Sequence, residues 1–386
     1  METIAITPGK RRGTVQVPYS KSHLHRLLIA TFLSGHREFG NSYDGIGADV
    51  DATLRCLKAL EDGMASSDAP VLYCGESGST LRFMLPVAMT QVDSAVFTAA
   101  GRLPQRPIAP FLEILASHGV TADNSSFPLH LRGRLASGEF LVRGDISSQI
   151  VTGLLFALPC LDGDSVITLT TPLESRGYVD MTLDVMRKFG IDVSACDDSF
   201  AIAGRQQYRM PDGIAPERDW SGAAFWFVMD FLGAEIVIPG LDSDSRQPDK
   251  KIIQLLEFQQ DTIDVSQCPD NFPVLAVAAG ARRGDTEFIG VRRLRLKESD
   301  RIAAMADVLS RFGVRTEAGD DFFVVHGKGP RFRGGVTIDT YSDHRIAMAA
   351  AVAATVADSP VLIENPSCIA KSYPDFFRQL ENTDII

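Results

Sequence analysis

The sequence predicts an α/β protein of two domains, each assembled from small repeated units. Three observations carry that expectation. At 386 residues the chain suits two domains, each large enough to bury its own core. Three segments then follow one ruler: Leu115–Val120, Met186–Ile191 and Leu309–Val314 each bring an apolar helix to a glycine, at Gly119, Gly190 and Gly313. The next shared glycine comes 14 positions later every time, at Gly133, Gly204 and Gly327. Finally, cationic and hydroxyl side chains cluster repeatedly where strands are expected to give way to helices.

Within each ruler, apolar residues fall at offsets +10 and +12 from the first glycine: Leu129 and Leu131, Phe200 and Ile202, Phe323 and Val325. Spacing of two after a polar turn predicts the second arm of a hairpin with one buried face. The glycine reads as a helix C′ cap, and the β-branched residue after it starts the first arm. Each repeat is therefore helix, cap, strand, turn, strand. Two further helices, in Asp49–Leu60 and Lys250–Leu256, pass to their next strand without a hairpin. They read as shortened copies of the same unit, at residues 49–76 and 242–270.

Composition narrows the function classes. Hydrophobic residues make up 45% and charged residues 23%, ordinary values for a globular enzyme. No apolar run is long enough to span a membrane, and the N-terminus lacks a signal-peptide pattern, so a cytoplasmic location is expected. The six cysteines are scattered singly, which fits reduced thiols and argues against a cysteine-based metal site. A net charge of −11 argues against nucleic acid as partner. An acidic chain can still bind anions if its cations are focused in one place.

The densest cluster is Arg295-Leu-Lys-Glu-Ser-Asp-Arg301, before an apolar helical run. Ser299 and Asp300 can cap free backbone N–H groups there, and a helix start favours a nearby anion. Lys297 and Arg301 lie four apart and would share a helix face; Glu298 between them is a candidate proton donor or acceptor. A capped, salt-bridged surface helix would look much the same, so recurrence decides the matter. Lys21, Ser22 and Arg26 open one helix, and Gly75–Arg82 is a glycine-hydroxyl turn feeding another. Arg102 and Arg106 flank prolines; Ser147, Ser148 and Gln149 stand at the mouth of an apolar helix. Ser175-Arg176-Gly177-Tyr178, Asp343-His344-Arg345 and Lys371 complete the set. Helix starts aimed at several anionic groups explain all seven. No metal ligand spacing, nucleophile elbow or dinucleotide fingerprint is present.

Together these stretches resemble the 5-enolpyruvylshikimate 3-phosphate synthase family of enolpyruvyl transferases. The matching motifs are V-P-Y-S-K-S, G-E-S-G-S-T-L-R, Arg106-Pro107, I-S-S-Q, S-R-G-Y, P-D-N-F-P, R-L-K-E-S-D-R, S-D-H-R-I-A-M and C-I-A-K-S-Y-P-D. They occur in family order from Pro18 to Phe376. The resemblance implies a two-domain inside-out α/β barrel of six β-α-β-α-β-β units, two of them shortened here. Residues 19–216 would form one lobe, and residues 1–18 with 217–386 the other, with the active site in the cleft between them.

The same resemblance implies transfer of the enolpyruvyl group of phosphoenolpyruvate to the 5-hydroxyl of shikimate 3-phosphate, by a monomer needing no cofactor or metal. It assigns catalysis to Lys21, Asp270, Glu298 and Lys371. Shikimate 3-phosphate would meet Lys21, Ser22, Arg26, Ser147, Ser148, Gln149, Ser175, Tyr178, Asp270, Arg293 and Lys297. Phosphoenolpyruvate would meet Lys21, Gly78, Arg106, Gln149, Arg301, Arg345 and Lys371. Five residues depart from the family pattern: Tyr19, His25, Glu76, Arg176 and Arg293. The nearest rival is the related transferase acting on a UDP-sugar, which carries a cysteine in the loop that here reads Gly101–Arg106 without one. A non-catalytic anion binder would have lost the carboxylates, and Asp270 and Glu298 are both present.

Overall fold

A computed structural model describes residues 2–36, 45–66 and 68–386. The chain divides into two compact units. One comprises the described residues of Met1–Ser20, Gly45–Gly47 and Glu217–Ile386; the other comprises those of Lys21–Asp44 and Ala48–Pro216.

All three ruler segments are hairpins. Val120–Ala122 pairs antiparallel with Leu129–Gly133, Ser194–Ala195 with Ser199–Ile202, and Arg315–Ala318 with Phe322–Lys328. The apolar residues at the shared offsets are buried, at 1% exposure or less. Gly119, Gly190 and Gly313 have φ of +87°, +80° and +76°, the left-handed conformation that ends a helix without a Cβ clash.

Each hairpin completes a four-stranded sheet of one pattern. Val71–Tyr73 runs parallel to Ser94–Thr98, which lies antiparallel to Leu129–Gly133. Glu139–Arg143, Ser165–Thr171 and Ser199–Ile202 repeat this, as do Thr262–Asp264, Arg283–Ile289 and Phe322–Lys328. A helix joins the two parallel strands in each, as their direction requires. In the stretches 61–72 and 257–266 no hairpin forms among the described residues; Ser67 lies outside them. The first holds the end of a helix and the start of Val71–Tyr73, the second only Thr262–Asp264. Near the N-terminus, Thr3–Ile6 lies antiparallel to Val361–Glu364, the position a hairpin arm takes in the other sheets.

Buried helices position the site. Every residue of Phe272–Ala281 and of His344–Ala354 is buried, and Gly78–Gln91 and Ser148–Ala157 are nearly so. A helix enclosed on all sides has little but its ends to offer a ligand. Their N-terminal ends carry the clusters singled out above. No helix among the described residues is long and apolar enough to cross a membrane.

Candidate active site

In the unit containing Lys21–Pro216, Lys21 is the first residue of the helix Lys21–Leu33. Its Nζ donates to Asp49 Oδ2 at 3.0 Å, with both side chains largely shielded from water. Ser22 lies beside it and gives its carbonyl to Arg26 at 2.6 Å. Arg26 is buried: Nε donates to Thr182 Oγ1 at 2.9 Å, and NH2 donates to the Tyr178 carbonyl at 2.8 Å. Burial pulls its pKa down to about 9, with Tyr178 opposing. This guanidinium clamps two helices together, which limits how much of it can reach a ligand.

The glycine turn is built around two arginines. Ser77 caps the helix Gly78–Gln91 by accepting from Thr80 N. A Cβ at Gly78 would lie 2.6 Å from Arg106 NH1 and 2.9 Å from Arg82 NH1, so both guanidiniums converge on this backbone. Arg82 NH1 also donates to Gln149 Oε1 at 3.3 Å, and Gln149 Nε2 donates to Ser79 Oγ at 2.9 Å. Ser147 caps the next helix, which starts at the buried Ser148, by accepting from Gln149 N. Ser175 precedes the helix Arg176–Lys188 at φ +59°, a left-handed conformation unusual for serine.

In the other unit, Asp270 is the hub. It sits in a short helical turn before Phe272–Ala281. Its Oδ1 accepts from Arg301 NH1 and its Oδ2 from Arg345 NH2, each at 2.8 Å. Lys297 Nζ lies 3.8 Å from the same carboxylate. Arg301 also donates to Asp343 Oδ2 and to Glu298 Oε2, at 2.9 Å each. Arg345 NH2 donates to Ser221 Oγ, whose hydroxyl donates to the buried Asp249 at 2.8 Å. Lys371 Nζ donates to the Ser342 carbonyl at 2.7 Å.

The electrostatics follow from burial. Desolvation opposes the charge on Arg301, yet Asp343, Glu298 and Asp270 together raise its pKa above the ordinary arginine value. For Asp343, burial pushes upward, but the charge and hydrogen bond of Arg301 act with His344 against it, and the net shift is downward. Burial lowers Lys297 to about 8, with Asp270 resisting.

Two expectations need correction. Lys297 and Arg301 share no helix face, because Lys297 ends a short 3-10 stretch and the helix begins only at Arg301. They meet instead at Asp270 Oδ1, through tertiary contact. The cap is Asp300 alone, accepting from Ile302 N and Ala303 N. Ser299 turns inward and donates to Asp343 Oδ2 at 3.0 Å.

The unusual residues have local partners. The Tyr19 ring lies 4.4 Å beneath the Arg218 guanidinium carbon. His25 is fully buried, with Nδ1 2.8 Å from Thr53 Oγ1, and burial drives its pKa well below the usual value. The exposed Glu76 lays its carboxyl over Gly101, where a Cβ would come within 2.4 Å of it. Arg176 pairs with Asp180 at 3.1 Å, and Arg293 donates to the Ser266 carbonyl at 3.3 Å. Sequence reasoning passed over Asp49, Arg82, Ser221 and Asp249. The available signal was a charged residue in or near the first turn of an otherwise apolar helix, visible at Arg82.

The sequence model of the EPSP synthase (3-phosphoshikimate 1-carboxyvinyltransferase) family matches residues 6–380. The 3-phosphoshikimate 1-carboxyvinyltransferase of Clostridium kluyveri is 40% identical over 99% of this chain and 97% of that protein. Its namesake from Clostridium novyi is 37% identical over 99% and 97%. Among solved structures, EPSP synthase from Acinetobacter baumannii superposes with a TM-score of 0.78 at 24% identity, covering 100% of this chain and 99% of that one. The enolpyruvyl transferase NikO from Streptomyces tendae gives 0.76 at 17% identity, over 99% and 98%. These likenesses establish the fold as that of the enolpyruvyl transferases. Within that class, the chain belongs to the EPSP synthase, or 3-phosphoshikimate 1-carboxyvinyltransferase, family.

Proposed function

We infer that this chain is a 3-phosphoshikimate 1-carboxyvinyltransferase. It transfers the enolpyruvyl group of phosphoenolpyruvate to the 5-hydroxyl of shikimate 3-phosphate and releases phosphate. The observation that carries this reading is Asp270 bridging Arg301 and Arg345 at 2.8 Å each, in a chain matched by the family along almost its whole length. A carboxylate between two guanidiniums occupies the kind of place a substrate carboxylate or phosphate would take.

In this reading the 5-hydroxyl adds to C2 of phosphoenolpyruvate as the methylene gains a proton, giving a tetrahedral ketal. Loss of a methyl proton then expels phosphate. Asp270 faces the hydroxyl as base, while Glu298 and Lys371 handle the methylene proton and the leaving phosphate, with Lys21 stabilising charge. Lys21, Gly78, Arg106, Gln149, Arg301, Arg345 and Lys371 hold phosphoenolpyruvate. The phosphate of shikimate 3-phosphate is held by Ser147, Ser148 and Ser175, and its carboxylate and ring by Ser22, Arg26, Gln149 and Tyr178, with Lys21, Asp270, Arg293 and Lys297 completing the set.

Each set draws residues from both units, so both units are proposed to serve one substrate pair. The finer architecture, an inside-out barrel of six units with two shortened, is proposed on the strength of the three matching sheets. A cytoplasmic monomer completes the reading.

Phosphate release from phosphoenolpyruvate, assayed separately with shikimate 3-phosphate and with a UDP-sugar acceptor, tests it. Turnover is expected with the first alone. Turnover only with the UDP-sugar would move the chain to the rival transferase.

A further inference from the structure

Three residues other than glycine that hold left-handed backbone meet beside one lysine. Tyr341 has φ +52°, Ser342 +53° and Asn365 +48°. Such residues carry strain, and two in succession persist only where their surroundings over-determine them. The surroundings here do so. Tyr341 N donates to Asp339 Oδ1 at 2.7 Å, and Asp343 N donates back to the Thr340 carbonyl at 2.9 Å. Asn365 brackets the turn from across the fold. Its Nδ2 donates to Ser342 Oγ at 3.0 Å, and its carbonyl accepts from Thr340 Oγ1 at 3.5 Å. The result is a Ser342 carbonyl fixed in direction, and that carbonyl receives Lys371 Nζ at 2.7 Å.

We propose that Ser342 and Asn365 are positioning residues that aim the Lys371 ammonium at the phosphate of phosphoenolpyruvate. The proposal rests on the functional reading above. An ammonium on a four-carbon stem can point many ways, and it carries three N–H donors. Fixing one donor on a rigid carbonyl sets the direction of the other two. Strain kept at this turn is then a cost tolerated for that aim. The next residue, Asp343, caps the helix His344–Ala354 and grips Arg301, so one turn sets the placement of two cations.

Two variants test this, Ser342→Gly and Asn365→Gly, because glycine adopts φ near +50° without strain and frees the peptide to rotate. Each is expected to leave the melting temperature unchanged or higher, while KM for phosphoenolpyruvate rises about fivefold or more. KM for shikimate 3-phosphate should not move. Adding Ser342→Gly to Lys371→Ala should cost nothing further, since the two act through one group. An active wild-type chain whose glycine variants keep the native KM for phosphoenolpyruvate sinks this proposal alone. So does a parallel rise in both KM values with a lowered melting temperature, which marks a purely structural turn. A wild-type chain inert with both substrates sinks the functional reading and this proposal with it.

Discussion

Arg301 Nε donates to Asp343 Oδ2 at 2.9 Å, and their side chains are 1% and 0% exposed. Two charges removed from water this fully are tolerable only as a pair. Asp343 also accepts from Ser299 Oγ and from Arg345 N, so one carboxylate caps its own helix and fastens it to the stretch from Ser299 to Arg301. Removing it as Asp343→Ala leaves a buried guanidinium short of a partner and should cost about 3–5 kcal/mol in denaturant unfolding. A loss under about 1 kcal/mol would show the pair to be dispensable.

The same residue fixes an acid limb. Its pKa is depressed below the ordinary 3.8 in the fold: burial pushes it up, but the charge and hydrogen bond of Arg301 act with His344 to bring it down. A depressed carboxylate contributes stability that is complete above its unfolded value and lost as pH falls through the folded one. Asp343→Asn keeps the shape and removes this dependence. Melting temperature measured from neutral pH to below 3.8 should therefore fall more steeply for the wild type. Identical slopes would mean that the acid limb arises elsewhere.

Lys297 supplies a basic limb. Burial lowers it from 10.5 to about 8, although a quarter of its side chain still meets water. The protonated form, which binds a substrate anion, is then lost as pH rises through about 8. Affinity for shikimate 3-phosphate should decline over that range. Lys297→Arg should move the decline upward, since arginine stays charged. A pH profile of kcat/KM identical in both proteins would remove Lys297 from the site.

The fold was more legible than the site, for a physical reason. A hairpin writes itself locally: a capping glycine, a β-branched start and alternating apolar residues fall within 14 positions, as at Gly119 and Gly133. The charge partners are tertiary. Nothing in the spacing of Lys297 and Arg301 says that Asp270 will gather both, and a heptapeptide of polar residues invites a helix that Asp300 in fact delays. Lys21 and Asp49 lie 28 residues apart and meet only once two helices pack. Arg82 was the exception, an isolated cation in an apolar helix that had to find partners.

Asp270 and Glu298 both neutralise Arg301, but they should fail differently. Asp270→Asn releases Arg301 and Arg345 from their shared counter-ion. Inorganic phosphate should then bind more tightly by calorimetry while turnover falls about a hundredfold. Glu298→Gln should lower turnover by a similar factor with ligand binding largely kept, because Asp270 and Asp343 still hold Arg301. A near-native rate in either variant would reduce that carboxylate to a structural partner.

Gly78 offers the most selective perturbation of the cations. A Cβ there would stand 2.6 Å from Arg106 NH1 and 2.9 Å from Arg82 NH1, too close for either to remain in place. Both obstacles are the far ends of long side chains, so they can swing away without disturbing the backbone. Gly78 is also the first residue of its helix, with no left-handed φ, so alanine can take its backbone conformation. Gly78→Ala should therefore keep its fold and yet displace two guanidiniums from the turn. KM for phosphoenolpyruvate should rise about tenfold, with KM for shikimate 3-phosphate little altered. Steady-state kinetics with each substrate varied in turn, alongside a melting curve, separates the two effects. A native KM for phosphoenolpyruvate in this variant would mean that Arg82 and Arg106 meet at Gly78 for packing alone.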